Sequence, residues 1–472
     1  MSRLFPTTGL APVLLAAALV AAPARAADDP RLAGAVRGAS GGWITVRLQG
    51  TPAQIGYQHG RLLSAEIADA VAVAKLSLVH DNKRDWAWFR KTAQDVLWPR
   101  IDREYQEELA AIAEGAAAGG AKVDVWDVVV LNANLEIGYY TAVLDKADKS
   151  RAPDKCSAFV ATGRYTRDGR PVIAHNNWSG YLDGARWNVV FDVRPARGHR
   201  FLMDGYPGLI HSGDDFGVNA AGLAITETTI TGFKGYDARG VPEFARARKA
   251  MQYASSIDDF DRIMREGNNG GYANAWLVAD TTTGEIARLE LGLKNVTLER
   301  TKDGYFVGTN FPVSPKLAAE ETGFRLDDPG LSANARRVRA EQIVKENEGR
   351  IDLAVAKAYL SDHYDSHEKK ANAPSERTLC GHVDLSPRGM GDWFGPYGPA
   401  GTVQAKAADA AMVKRMSFEA AVGHPCGVDF RAAPHLERHP EFAWTKPLLR
   451  DLVAGRWTAF AAATASPAAG TR

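Results

Sequence analysis

The stretch CSAFVATGRYTRDGRPVIAHNNW, residues 156–178, determines how the rest of the chain is interpreted. Its first part, CSAFVAT, has the composition of a strand, RDGR carries an Asp-Gly turn, and PVIAH is a second short strand. The stretch therefore predicts a β-hairpin that begins at Cys156.

Further strand-like segments follow the hairpin up to about residue 311. They are WNVVFDVR, GLAITETT, AWLVAD, EIARLEL and YFVGTNF. Apolar residues at helical spacing predict helices over residues 53–135, 241–265 and 331–360, although VDVWDVVVLNANLEI at 123–137 fits either a helix or a buried strand. Strands in succession with helices before and after them predict the α+β class and an antiparallel sheet.

The two ends of the chain and residues 145–155 differ from this pattern. Residues 1–26 have a positive start, an apolar run and the small-residue site Ala-Arg-Ala, which predict a signal peptide and export to the periplasm or medium; a retained anchor is the alternative, but the run is short for a span. DKADKSRAPDK, residues 145–155, predicts an exposed, cleavable linker. The Ala-, Ser- and Pro-containing end, residues 461–472, predicts a disordered tail.

The overall composition excludes several classes of protein. Hydrophobic residues make up 45% and charged residues 24%, which are ordinary values for a globular chain. There are 57 Lys and Arg against 56 Asp and Glu, a net charge of +1. Because no global positive field exists to attract a polyanion, we expect no nucleic-acid partner. No second apolar stretch approaches the length of a membrane span.

The chain contains three cysteines, Cys156, Cys380 and Cys426, so at least one thiol is unpaired. A disulfide between Cys380 and Cys426 would leave Cys156 free, but the sequence leaves that pairing open. Cleavage of the bond between Lys155 and Cys156 would place a thiol and a free α-amine on one residue, and such an amine can accept the thiol proton. The alternative is a buried, inert cysteine of the sheet.

The hairpin sequence resembles the segment that begins the mature catalytic chain of phospholipase B-like proteins, members of the N-terminal nucleophile (Ntn) hydrolase superfamily. YPGLIHSGDDFGVNAAGLAITETT, YANAWLV and HPEFAWTKPLLRD follow in the order of that family's motifs. IGYQHGRLL, LSDHYDSHE and ERTLCGHVD are also similar to the penicillin acyltransferase group of the same superfamily. The resemblance implies a four-layer αββα sandwich at residues 156–460, after a mainly helical N-terminal chain at 27–155 that ends in the cleavable linker.

The resemblance also implies roles for individual residues. Cys156 matches the nucleophile, the bond from Lys155 to Cys156 matches the autoproteolytic site, and His175 matches the active-site histidine. Asn274 matches an amide that stabilises the oxyanion. Weaker candidates for the pocket are Asn177, Trp178, Asp214, Asp215 and Glu227. Because adjacent residues of a strand point to opposite faces, at most one of Asp214 and Asp215 is expected to line the pocket.

A metal centre is not predicted for the reaction. His363 and His367 are spaced i, i+4, but HYDSH lacks the glutamate of a zinc-protease motif, and its surroundings predict an exposed helix end. No metal or organic cofactor is therefore expected. The expected partners are an acyl lipid or acyl amide substrate and, after cleavage, the chain's own N-terminal part. Hydrolysis is the predicted reaction; acyl transfer and a non-catalytic exported binding protein are the alternatives.

Overall fold

The computed structural model describes residues 29–147, 156–214, 216–391 and 393–463. The expected signal peptide, Lys155, Asp215 and residues 464–472 of the expected tail lie outside the described residues. None of the described helices is both long and apolar enough to cross a bilayer.

Fifteen strands are found in the described chain. They are β1 (Val36–Ser40), β2 (Trp43–Gly50), β3 (Ser157–Thr162), β4 (Val172–Gly180), β5 (Val189–Pro195), β6 (Phe201–Gly205), β7 (Gly217–Asn219), β8 (Leu223–Thr229), β9 (Asn274–Asp280), β10 (Glu285–Leu291), β11 (Val296–Thr301), β12 (Gly304–Gly308), β13 (Ala400–Asp409), β14 (Ser417–Val422) and β15 (Thr458–Ala461).

Fourteen α-helices accompany these strands in the same residues. They are α1 (Pro52–Leu62), α2 (Ser64–Asn82), α3 (Trp86–Thr92), α4 (Arg103–Ala118), α5 (Val125–Asn132), α6 (Ile137–Leu144), α7 (Tyr181–Gly184), α8 (Glu243–Tyr253), α9 (Ile257–Arg265), α10 (Pro315–Glu321), α11 (Ser332–Glu346), α12 (Leu353–Leu360), α13 (Ala410–Lys414) and α14 (Ala432–Arg438). Short 3-10 or π-helical turns cover Pro30–Leu32, Ala93–Leu97, Trp98–Arg100, Gly163–Tyr165, Val383–Leu385 and Pro440–Thr445.

The predicted hairpin is confirmed, and its turn has a local cause. Strands β3 and β4 pair antiparallel with Ala158 opposite His175. Gly169 of the Asp-Gly turn has φ of 74°, a left-handed conformation that glycine adopts without steric cost. The ambiguous segment at 123–137 contains helix α5, which begins with Asp124 and Asp127 in a capping box.

The strands form two sheets, as the family resemblance implied. The first has the order β1-β2-β5-β6-β7-β8-β9-β10-β11 and the second the order β12-β3-β4-β13-β14-β15. Strand β2 pairs parallel with β5, so that the N-terminal chain, expected to be mainly helical, also supplies strands to the first sheet. Strand β13 pairs with β4 and β14 at the centre of the second sheet.

Apolar side chains show that the sheets lie face to face between helices. One cluster between the sheets contains Val160, Leu202, Leu277 and Phe418 from both sheets. The outer face of the first sheet packs on helices that include α1, α4, α8 and α9, and the outer face of the second packs on α11 and α12. This is the expected αββα sandwich, with its two inner faces available to place side chains between the sheets.

Candidate active site

Cys156 directly precedes β3, and its backbone is held in an unusual conformation. Its φ is 76°, a region that residues other than glycine seldom adopt. The guanidinium of Arg336 on α11 donates hydrogen bonds to the carbonyl oxygen of Cys156 and to Oγ of Ser157. Both Cys156 and Arg336 are buried. The buried guanidinium of Arg336 therefore holds the backbone of Cys156 in place.

His175 reaches the same place from the neighbouring strand. A ring nitrogen of His175, the sulfur of Cys156 and a carboxylate oxygen of Glu227 all lie within 4.8 Å of one another. The structure thus brings together the predicted nucleophile, the predicted histidine and one of the weaker pocket candidates. Neither ring nitrogen of His175 has a hydrogen-bond partner in the described residues, which leaves the ring able to interact with a bound group.

Burial governs the protonation of this group. Burial, followed by the nearby charge of Glu227, raises the pKa of the Cys156 thiol well above its ordinary value, while a hydrogen bond from the backbone of Trp178 acts in the opposite direction. Burial, followed by the charge of Lys406, lowers the pKa of His175 well below its ordinary value. Before any cleavage the site therefore holds a neutral thiol and a neutral imidazole.

A buried charged cluster lies beside His175. Nζ of Lys406 contacts Oδ2 of Asp214 and lies 3.4 Å from Oδ2 of Asp204. Burial raises the pKa of Asp204 well above its usual value; burial acts likewise on Asp214, but the charge and hydrogen bond of Lys406 oppose it, and the pKa of Asp214 is lowered. The surroundings therefore move the pKa values of the two neighbouring carboxyl groups in opposite directions.

Asp214, the described residue of the Asp-Asp pair, lies beside His175. Its Oδ2 lies 3.7 Å from Nδ1 of His175, so one of the two carboxylates does face the inner space. Ser212 donates to Asp214 at 2.6 Å. The sequence analysis missed Asp204 and Lys406. The available signal was Lys406 itself, a lone charged residue within the otherwise uncharged run AGTVQAKAA.

Asn310 and Arg336 form a second set of residues that the sequence analysis missed. Nη2 of Arg336 donates to Oδ1 of Asn310 at 3.0 Å, and Nδ2 of Asn310 donates to the carbonyl of Thr229 at 2.9 Å. Asn310 has φ of 75° and is buried. The same guanidinium therefore joins Asn310 to Cys156. The signal in the sequence was the Thr-Asn-Phe end of the predicted strand YFVGTNF.

The remaining predicted residues lie on strands β4 and β9. Asn274 begins β9 opposite Thr229 of β8; its amide is buried, and neither of its polar atoms has a partner in the described residues, so no hydrogen bond joins it to Cys156. Asn177 lies opposite Gln404 in the second sheet. The Trp178 ring is buried with the Arg336 guanidinium 4.4 Å from its centroid.

A cavity of about 820 Å³ is lined in part by Ser179 of β4 and Ser332 of α11, and its lining among the described residues does not include Cys156, His175 or Asn274. Its wall contains apolar side chains and charged ones, among them Leu78, Leu135, Phe324, Trp393 and Arg388. Ser332 also lines it and accepts a hydrogen bond from Nε of Arg336 at 3.0 Å. The guanidinium that holds Cys156 is therefore one hydrogen bond away from a space large enough for a small-molecule ligand.

Comparisons with known proteins identify relatives. The family model described as Phospholipase B matches residues 82–456. The chain is 25% identical over 280 residues to "Phospholipase B" of Crotalus adamanteus, covering 54% of this chain and 49% of that protein. It is 25% identical over 243 residues to "Acyl-coenzyme A:6-aminopenicillanic-acid-acyltransferase 40 kDa form" of Emericella nidulans, covering 50% of this chain and 60% of that one. The chain thus spans about half the length of these relatives.

One solved structure has a partly similar arrangement. It is a mutant of the conjugated bile acid hydrolase from Clostridium perfringens, with 11% identity and a TM-score of 0.32, covering 56% of this chain and 88% of that one. A score of this size is too low to establish a common site. The motifs from which the family resemblance was inferred lie mostly within the residues that the family model matches.

Proposed function

The chain belongs to the Phospholipase B family, and from this premise we propose that it is an autoproteolytic hydrolase that cleaves an acyl ester or amide with the thiol of Cys156. The observation that carries the proposal is the meeting of the Cys156 thiol, the His175 ring and the Glu227 carboxylate within 4.8 Å, at a buried strand end. Phospholipase B-like relatives support hydrolase activity, and the exported location expected from residues 1–26 is part of the proposal.

Maturation comes first in the proposed sequence. Sγ of Cys156 attacks the carbonyl carbon of Lys155, the C–N bond breaks, and the nitrogen takes up a proton to become the α-amine of Cys156. Water then hydrolyses the resulting thioester, which releases the thiol and a carboxylate on Lys155. The left-handed φ of Cys156 supports this step, because a non-glycine residue held there carries strain of about 1–3 kcal/mol that cleavage relieves.

Substrate turnover then uses the new terminus. The α-amine accepts the thiol proton, and the thiolate attacks the acyl carbonyl to form a tetrahedral anion. The leaving alcohol or amine takes a proton from the α-ammonium, and water releases the acid from the acyl-enzyme in a second, equivalent step. The raised thiol pKa of the uncleaved chain supports the need for this amine, since the thiol has little thiolate character without a nearby base.

Two buried asparagines are candidates for the oxyanion donor. Asn274, the residue inferred from the motif, has an amide without a partner in the described residues. Asn310 has the advantage of position, since it shares Arg336 with the backbone of Cys156. Arg336 is the positioning residue in this proposal, because it holds the backbone that carries the nucleophile.

The cavity suggests the substrate class. Leu78, Leu135 and Phe324 offer an apolar wall to an acyl chain, while Arg388, itself paired with Glu376 and Glu368, adds a polar part to the lining. An acyl lipid or a long-chain acyl amide suits this mixture. Acyl transfer is the second candidate, because the chain is also similar to the Emericella acyltransferase.

Purified precursor tests the maturation step. Intact mass and N-terminal sequencing should give two chains, the second beginning at Cys156, and hydroxylamine should accelerate the cut because it attacks a thioester. Cys156→Ala should remain whole, whereas Cys426→Ser, which removes another thiol, should still be cut. A Cys156→Ala chain cut at the same bond would assign the cleavage to another protease and refute autoproteolysis.

Assays of the mature enzyme distinguish hydrolysis from acyl transfer. A fluorogenic acyl ester and an acyl amide should each be hydrolysed in water to the free acid. If acyl transfer competes with hydrolysis, an added amine should give an acylated amine in proportion to its concentration. If the cleaved protein turns over neither substrate in either mode, it is better described as a binding protein.

A further inference from the structure

A second group of thiols and imidazoles lies away from Cys156. It consists of His363 after α12, Cys380 and His382 in the loop before β13, and Cys426 in the turn after β14, and we call it the Cys2His2 cluster. One donor atom from each residue lies within 4.8 Å of every other. Three segments that are distant in sequence therefore place two sulfurs and two ring nitrogens around one point.

Three of the six donor–donor distances in the Cys2His2 cluster, all at His382, are close to those of a tetrahedral ligand set. Nε2 of His382 lies 3.1 Å from Nε2 of His363 and 3.5 Å from both Sγ of Cys380 and Sγ of Cys426. Metal–nitrogen bonds of about 2.05 Å and metal–sulfur bonds of about 2.3 Å give tetrahedral edges of about 3.3 Å between nitrogens and about 3.5 Å between nitrogen and sulfur. The three separations at His382 agree with these edges.

Hydrogen bonding does not account for the same arrangement. Nε2 of an imidazole carries either one hydrogen or one lone pair in the ring plane, so it makes one good hydrogen bond. Three donor atoms nevertheless approach this one nitrogen of His382. A disulfide does not account for it either, because Cys380 and Cys426 are both free thiols in the structure and two imidazoles would have no part in the bond.

A carboxylate and a further histidine, His424, lie close to the ring of His382. Nδ1 of His382 faces Oδ1 of Asp384 at 4.0 Å, and Tyr181 donates a hydrogen bond to that oxygen at 2.8 Å. The 4.0 Å separation is too long for a hydrogen bond, and Nδ1 of His382 has no hydrogen-bond partner in the described residues. His424 stacks on His382 at 4.1 Å, but both of its ring nitrogens contact other groups, Tyr181 and the carbonyl of Val428, so it is not a ligand.

We propose that His363, Cys380, His382 and Cys426 bind one zinc ion in a closed, structural site. Two thiolates and two imidazoles at tetrahedral spacing suit zinc among the common divalent metals, and four protein ligands leave no position open for substrate. From spacing alone His363 was considered with His367 and no metal was expected; the tertiary structure instead places His363 beside His382, and His367 is outside the cluster.

The site has a defined mechanical role. Gly381, between two of the ligands, lies so close to the Trp178 ring that a Cβ would meet the ring at 2.2 Å. Asn176 donates a hydrogen bond to the carbonyl of Leu379 at 2.9 Å. The ion would therefore anchor the Cys380 loop against β4, the strand that also carries His175, without touching the substrate.

The full-length protein, purified without chelator under reducing conditions, tests the proposal by elemental analysis. We expect about one zinc per chain in the wild type and in His367→Ala, a neighbouring histidine outside the cluster, and less than one tenth of that in Cys426→Ser and His363→Ala. Cobalt exchanged into the wild type should give the visible ligand-field bands and thiolate charge-transfer band of a tetrahedral thiolate site.

Two results would overturn the proposal. Peptide mapping under non-reducing conditions that finds Cys380 linked to Cys426 in metal-free protein would replace the ion with a disulfide. Wild-type protein that takes up neither zinc nor cobalt after reduction would also refute it. If the variants fail to fold, the cobalt spectrum of the wild type still decides, and neither outcome depends on whether Cys156 is a nucleophile.

Discussion

The Cys156 site and the Cys2His2 cluster are built from the same two side-chain types but are surrounded differently. Around Cys156, a single thiol and a single imidazole meet a carboxylate between the two sheets, with the Lys406, Asp204 and Asp214 charges next to them. In the cluster, four soft donors from loops converge on one point. A lone thiol that gains an α-amine as its base on the proposed cleavage suits nucleophilic chemistry, whereas a complete donor set suits a metal.

Comparing the two thiol variants is expected to give the largest effect. In a chain that begins at Cys156 and is co-expressed with residues 27–155, Cys156→Ala should reduce kcat by at least about 10⁴-fold, because the nucleophile is lost. The same variant should keep its zinc.

Cys426→Ser should lose zinc and melt about 8 °C lower, because the loss of zinc binding removes on the order of 4 kcal/mol of stability from the folded state. The folded fraction of this variant should keep its kcat. Activity assays, elemental analysis and calorimetry on both variants check this.

A shared loss would contradict that separation. If Cys426→Ser abolishes turnover in protein that is fully folded by circular dichroism, the cluster acts on the reaction directly. If Cys156→Ala lowers the zinc content, the two regions are one site rather than two.

Removal of the buried lysine is expected to have the next largest effect. Lys406→Met leaves the ionised Asp214 buried without its partner, which should destabilise the chain by about 3–5 kcal/mol. Lys249→Met removes a surface ion pair in which Nζ of Lys249 lies 2.9 Å from Oδ2 of Asp102. This change should lower the free energy of unfolding by less than about 1 kcal/mol. Denaturant unfolding of both variants in the uncleaved Cys156→Ala background measures the difference. Adding Asp214→Asn to Lys406→Met should restore part of the loss, and no restoration would show that the pairing is energetically unimportant.

The two asparagines should differ in their effect on turnover. Replacing the asparagine that donates to the oxyanion with Ala should reduce kcat by about 10²–10³-fold, which corresponds to about 2.7–4 kcal/mol of transition-state stabilisation. KM should change little. We compare Asn274→Ala with Asn310→Ala in the co-expressed enzyme that needs no self-cleavage. A variant that melts lower while kcat stays at the wild-type value marks its asparagine as structural, and two unchanged kcat values would rule out both.

The smallest expected effect is a pH dependence. Burial and Lys406 lower the pKa of His175 in the folded state. Below the unfolded pKa of about 6.5, the unfolded chain takes up a proton that the native ring does not, so His175 makes stability fall as the pH falls. From pH 7 to pH 5.5, the decrease in the free energy of unfolding should be about 1 kcal/mol smaller in His175→Asn than in the wild type. His80→Asn, at a half-exposed ring, serves as the control.

Some of the fold was accessible from local pattern, and some was not. The hairpin at Cys156 was predictable because its turn and its strands are local features. Strand β13 was missed because AGTVQAKAAD is nearly all buried, on both faces of a central strand, so it shows no alternation of polar and apolar residues and its alanines favour a helix. Strands β1 and β2 form a local hairpin across Gly41 and Gly42, a signal that the sequence analysis did not use, whereas the parallel pairing of β2 with β5 joins residues that are distant in the chain.

The residues of the candidate sites also fall into those that a local motif indicated and those that only the tertiary structure brought together. Cys156 and His175 lie on one hairpin, so a single continuous motif indicated both of them. Lys406 and Arg336 reach the site from a distant strand and a distant helix, and no spacing in the sequence relates them to Cys156. For His363, spacing indicated the wrong neighbour, because its partner His382 is brought to it by the path of the loop before β13.

The sequence by itself determined the α+β class, the family resemblance and the position of the proposed nucleophile, because turn residues, periodicity and motif order are properties of neighbouring residues. Only the tertiary structure decided which residues surround that thiol and that a second set of thiols and imidazoles converges elsewhere. The physical reason is that sheet pairing and loop packing join segments through burial and hydrogen bonds, and these depend on the whole chain rather than on any one segment.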